Sequence, residues 1–103
     1  MITIEECIET LKKRYLNKDI DVIEEERYYD FEVDGEVTKL PYKVHFINPV
    51  DYDELADTLK LTGMDYRILL PSTIATADYR LDRINVYITK DKDRWYIQDI
   101  DLG

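Results

Sequence analysis

Asp34-Gly35 separates two stretches in which apolar and polar residues alternate. That arrangement commits the middle of the chain to a β-hairpin. Asp-Gly suits the positive-φ positions of the tight turn whose twist matches that of two paired strands. Before the turn, Arg27 to Val33 place Tyr29, Phe31 and Val33 on one face. After it, the return strand runs to about Ile47, with Tyr42, Val44 and Phe46 sharing a face. Pro41 lacks an amide donor, so this strand lies at a sheet edge or bulges there. Glu24-Glu25-Glu26 reads as the solvated start of the first strand. Alternation makes most of the nine tyrosines half-buried sheet residues.

A helix precedes the hairpin. Thr3 and Glu6 have capping-box spacing. Ile4, Cys7, Ile8, Leu11 and Tyr15 recur as one apolar stripe. Lys12, Lys13 and Arg14 sit where cations favour the C-terminal end of the helix dipole, and Asn17 is the stop. After the hairpin, Asn48-Pro49 breaks the chain. Asp51 and Glu54 offer a second cap, with a helix predicted from Asp51 to Leu61 that Gly63 ends. Tyr66 to Leu70 reads as a buried strand. An extended loop follows, and then a strand with Ile84, Val86 and Ile88 on one side and Arg83, Asn85 and Tyr87 on the other. Asp91-Lys92-Asp93 turns into a last strand from Trp95 to Leu102. The order is α-β-β, then α-β-loop-β-β, an α+β chain. It divides into residues 1–48 and 49–103, or forms one continuous compact domain across both.

Composition narrows the function classes. The chain has 103 residues, 23 acidic against 14 basic, and a net charge of −9. A general nucleic-acid binder needs the opposite sign. The acidity is spread, with 12 acidic and 7 basic residues in 1–48 and 11 acidic and 7 basic in 49–103. Solubility, a basic partner and mimicry of nucleic acid are all compatible with it. No apolar run approaches the roughly 20 residues of a membrane span. The opening MITIEECIETLKK has acidic residues where a signal peptide is basic, so a cytoplasmic protein is expected. The lone Cys7 forms no internal disulfide, and with His45 it is too little for a zinc site. Gly35, Gly63 and Gly103 form no phosphate-binding loop. No acid, base or nucleophile set is visible, so neither an enzyme nor a cofactor is expected.

The most informative stretch is LPSTIATADYRLDRINVYITKDKDRWYIQDIDLG, residues 70–103. Leu70-Pro71 ends a strand, and Thr76-Ala77-Asp78-Tyr79-Arg80 lies in the loop. Asp82 to Val86 enter the next strand, Lys90 to Arg94 make a charged turn, and Gly103 follows. In these features the chain resembles the potato inhibitor I family of serine-protease inhibitors, particularly its bacterial and fungal elastase-inhibitor branch. With the preceding helix, the resemblance covers about residues 50–103. It implies a helix on a small mixed sheet with an exposed binding loop at residues 72–80, preceded here by an α-β-β unit that packs against it or extends its sheet.

The resemblance also implies roles. Thr73, Ile74, Ala75, Thr76, Ala77, Asp78, Tyr79 and Arg80 would form the protease-binding loop, with Ala77–Asp78 as the scissile-equivalent bond. The small Ala77 suits elastase-like or subtilisin-like pockets. Arg83 corresponds to the basic residue that bonds the side chains flanking that bond. Asn85 stands where plant members have a second arginine, as in the bacterial branch. Gly103 corresponds to the terminal glycine whose carboxylate helps hold the loop. Spacing agrees independently: Thr76 and Asp78 face one way in an extended loop, and Arg83 and Asn85 share one strand face. The expected partner is therefore a serine protease. A second reading is a small acidic intracellular binding protein, of the kind a phage would encode, that blocks or sequesters a host component such as a defence protein.

Overall fold

The computed structural model describes residues 3–71 and 80–103. Among them the elements are α1 (Ile4–Tyr15), β1 (Val22–Val33), β2 (Glu36–Ile47), α2 (Pro49–Lys60), β3 (Asp65–Leu69), β4 (Arg83–Asp91) and β5 (Arg94–Leu102). The class is α+β.

In α1 the Thr3 hydroxyl accepts from the Glu6 N–H at 3.1 Å, satisfying one of the orphan donors at the helix start. Asn17 takes φ 66° just past the helix end, a conformation asparagine tolerates better than most residues. The second cap differs from the expected one. Asn48, not Asp51, caps α2: its side-chain oxygen accepts from the Val50 N–H at 3.0 Å, with Pro49 inside the first turn. Asp51 instead accepts from the Asp21 N–H at 2.9 Å. Asn48 Nδ2 also donates to Asp21 at 3.0 Å, so α2 and the start of β1 are tied at its first turn.

β3, β4 and β5 form a mixed sheet with β4 in the centre, parallel to β3 and antiparallel to β5. A bulge opposite Tyr87/Ile88 lets Ile97 and Ile100 of β5 both reach the core. Ile84, Val86 and Ile88 of β4 meet them there. Ile8, Leu11 and Tyr15 of α1, and Leu55 and Leu59 of α2, complete the cluster with Ile20 and Ile47. This one buried cluster draws on both residues 1–48 and residues 49–103. Each such side chain contributes about 1.5–3 kcal/mol by leaving water. The Tyr15 hydroxyl donates to Thr58 at 2.8 Å, joining the two helices.

The first half extends the sheet through a segment that sequence periodicity does not mark. Asn17 N–H and Ile20 N–H donate to the carbonyls of Ile97 and Trp95, and Ile97 N–H donates to Lys18. Residues 17–20 thus line the free edge of β5. Arg94 braces them, bonding Asp19 and the Asn17 carbonyl.

The hairpin does not join that sheet. β1 and β2 form their own two-stranded ribbon, in unbroken register from Val22↔Ile47 to Val33↔Glu36. Asp34 and Gly35 take φ 53° and 81°, the pattern of a type I′ turn. Pro41 pairs opposite Tyr28 without a bulge. The molecule measures 63 × 30 × 21 Å, and strands of twelve residues reach about 40 Å, so the ribbon is an arm. From Glu26 to Lys43 every residue except Leu40 is exposed. The expectation that the hairpin tyrosines are half-buried is therefore wrong for Tyr28, Tyr29 and Tyr42. Glu24-Glu25-Glu26 lie within β1 instead of at its start. Glu24 bonds Lys43 at 3.0 Å and His45 at 3.2 Å, which hold its carboxyl below the ordinary range.

Candidate functional site

The chain runs parallel in β3 and β4, so their connection leaves Leu69 at one end of the pair and returns to Arg83 at the other. Thr73, Ile74, Ala75, Thr76, Ala77, Asp78 and Tyr79 lie outside the described residues. The strands that flank them are described, and one face of β4 is largely polar.

Period-two geometry builds that face. Arg83, Asn85 and Tyr87 project from one side of β4, and their register partners Asp65, Arg67 and Leu69 on β3, and Asp101 on β5, share it. The opposite face carries Ile84, Val86 and Ile88 into the core. As the central strand, β4 is nevertheless buried on both faces: Arg83 is 7% exposed and Asn85 1%.

A buried guanidinium and a buried amide require partners. The Arg83 Nε–H donates to the Gly103 main-chain oxygen at 2.9 Å. Asn85 uses both ends of its amide. Its oxygen accepts from Arg67 Nε at 2.8 Å; its nitrogen donates to Asp101 at 3.1 Å and to the Gly103 oxygen at 3.2 Å. Arg83, Asn85 and Gly103 therefore converge on one point. Burial, and after it a hydrogen bond with Asp101, raises the Tyr87 phenol above its ordinary pKa. Arg67, Asn85 and Asp101 thus form one hydrogen-bonded row across the three strands.

Arg80 closes the connection from the other side. Its guanidinium donates to Asp65 at 2.6 Å and twice to Asp82 at 3.1 Å. The Arg80 hydrogen bond holds the Asp82 carboxyl below the ordinary range. The end of the connection is thereby pinned to the start of β3, two residues before Arg67.

Sequence reasoning singled out Arg83, Asn85 and Gly103 but missed Asp65, Arg67 and Asp101. Alternation marks each of these as sharing a face with its own strand neighbours. Only the parallel register of β3 brings Arg67 onto Asn85. Among the described residues, no group of three or more His, Cys, Asp and Glu side chains is placed to hold a metal ion, and no helix is long and apolar enough to cross a membrane.

Compared with models of protein families, with characterised proteins and with solved structures, the chain matches none.

Proposed function

We propose that the chain is a non-enzymatic serine-protease inhibitor that offers residues 73–80 to the target active site as a substrate-like segment, with Ala77–Asp78 in the scissile position. In this reading α2, β3, β4 and β5 form a potato-inhibitor-I-like unit. The supporting observation is the convergence of Arg83, Asn85 and Gly103 on the strand that follows the segment, with Arg80 clamped to Asp65 and Asp82 at its end.

The physical logic is preorganisation. A segment held in its bound shape before contact loses little conformational entropy on binding. Buried, charge-assisted hydrogen bonds such as those of Arg83 each contribute about 1.5–3 kcal/mol. If the target cuts the bond, struts of this kind keep the new ends together, so the acyl-enzyme religates faster than the product leaves. No catalytic group in the inhibitor is needed.

The test is titration against a panel of serine proteases. Stoichiometric inhibition of an elastase-like or subtilisin-like enzyme is expected. Absence of inhibition across the panel at micromolar concentration, with the segment uncleaved, rejects the reading.

A further inference from the structure

The arm has two unlike faces. On one, Tyr29, Phe31 and Val33 of β1 stand beside Leu40 and Tyr42 of β2, by the register of the ribbon. The rings of Tyr29 and Tyr42 meet edge to face, 6.0 Å between centroids. This apolar stripe continues to the foot of the arm through Val44 and Phe46. The foot meets the body with its other face, where Val22 and Ile47 enter the core and His45 lies against Trp95 at 5.4 Å. The apolar face therefore points away from the body along its whole length, with Tyr29, Phe31 and Val33 each about half exposed.

We propose that this face is the interface of a homodimer, in which two arms pack face to face about a twofold axis. Three observations select a second copy as the occupant. A two-stranded ribbon is marginal in water unless its apolar face is covered, and this one is twelve residue pairs long. The face also carries half as many charged residues as the other. It carries Glu36 and the mutually bonded pair Glu25–Arg27, at 3.0 Å. The opposite face holds Glu24, Glu26, Asp30 and Glu32 against Lys39 and Lys43. A basic partner would choose that acidic face. Two chains of charge −9 approach with less repulsion through the apolar face, whose Glu25, Arg27 and Glu36 sum to −1, than through the other, whose four acids and two lysines sum to −2. Finally, the face is extended: six residues of each strand line it over about 40 Å of ribbon, the scale of an interface that takes about 600–1,000 Å² from each partner. Twofold symmetry makes one patch its own complement, and face-to-face sheets about 10 Å apart leave room for the aromatic rings to interdigitate.

Sedimentation of the full chain across micromolar concentrations tests this, with charge-matched variants on the two faces. The wild type is expected to reach twice its 12.3 kDa mass, and more readily at high salt, because screening weakens repulsion between acidic chains but not apolar contact. Phe31→Lys is expected to weaken the dimer at least tenfold. Val37→Lys carries the same charge on the opposite face and is expected to leave it unchanged. Both sites are exposed in the single chain, and Val33→Lys replaces Phe31→Lys should that variant fail to show the wild-type circular dichroism spectrum. A monomeric wild type at a hundred micromolar and high salt overturns the proposal. So does equal weakening by the substitutions on both faces, or a dimer that dissociates as salt rises.

Discussion

Arg83 and Gly103 hold each other at two points. The Arg83 Nε–H donates to the Gly103 main-chain oxygen at 2.9 Å, and the Gly103 N–H donates back to the Arg83 carbonyl at 3.1 Å. One bond comes from a side chain and the other from the backbone, so substitution at Arg83 removes the first and leaves the second. Arg83→Ala is expected to lower stability by about 1.5–3 kcal/mol in urea titration, the range for a charged hydrogen bond lost from a buried site. Under the proposed function it also converts the inhibitor into a substrate, with cleavage after Ala77 visible by mass spectrometry. Full stability together with unchanged inhibition would show that the Arg83–Gly103 bond supports neither.

Asn85 is expected to be the less replaceable of the pair. Its neutral amide both accepts from Arg67 and donates to Asp101. Asn85→Asp satisfies Arg67 but sets two carboxylates against each other, so its destabilisation should be greatest near neutral pH and shrink on acidification. Asn85→Leu removes all three of its contacts at once and should cost about 2–3 kcal/mol at neutral pH, from the buried polar groups left to find new partners. Melting curves of the two variants at several pH values distinguish these behaviours.

Under the proposed function Ala77 sets the specificity. A basic side chain there should move inhibition from elastase-like toward trypsin-like enzymes, by tenfold or more in the ratio of the two inhibition constants for about 1.4 kcal/mol of differential binding. Ala77→Arg with an unchanged ratio would place the contact elsewhere on the chain.

The hairpin, α1 and the face alternation of β4 are legible in the sequence because each rests on local chemistry. Asp34-Gly35 suits one kind of turn, and Thr3 can satisfy an amide three residues on. The cap of α2 escapes a sequence reading because Asp51 and Glu54 mimic a capping pair, while the Asn48 that does the capping sits before Pro49. The exposure of the arm was not legible at all. Alternation says that Tyr29 and Phe31 share a face, but not whether another layer covers it. The same holds for Arg67 and Asp101, whose meeting with Asn85 depends on strand register across distant segments.

Acid should weaken the Arg80–Asp82 pair that precedes β4. The Arg80 hydrogen bond depresses the Asp82 carboxyl pKa in the folded chain. A group so depressed contributes stability that is fully present above its unfolded pKa and is lost as pH falls through the folded one. The loss therefore begins below about pH 4, the ordinary aspartate value. Thermal melts from about pH 6 to about pH 2 should show a shallower acid limb in Arg80→Gln than in the wild type. Identical limbs would mean that the Arg80–Asp82 pair is not coupled to folding.

Asn48→Ala removes the cap of α2 and the tie to Asp21 together, and is expected to cost about 1–2 kcal/mol in chemical denaturation. Asp51→Ala, which leaves the cap intact, should cost less.

The pairing of residues 17–20 with β5 has a consequence for how the chain is made. Arg94 and Asp19 are 75 positions apart, and the buried side of α1 packs on β5. A twelve-residue helix is marginal alone, so α1 stays unsettled on the ribosome until β5 has emerged. Folding then waits on a contact between segments far apart in sequence, which predicts slow acquisition of structure. A nascent chain stalled before Arg94 should be as sensitive to protease as an unfolded one.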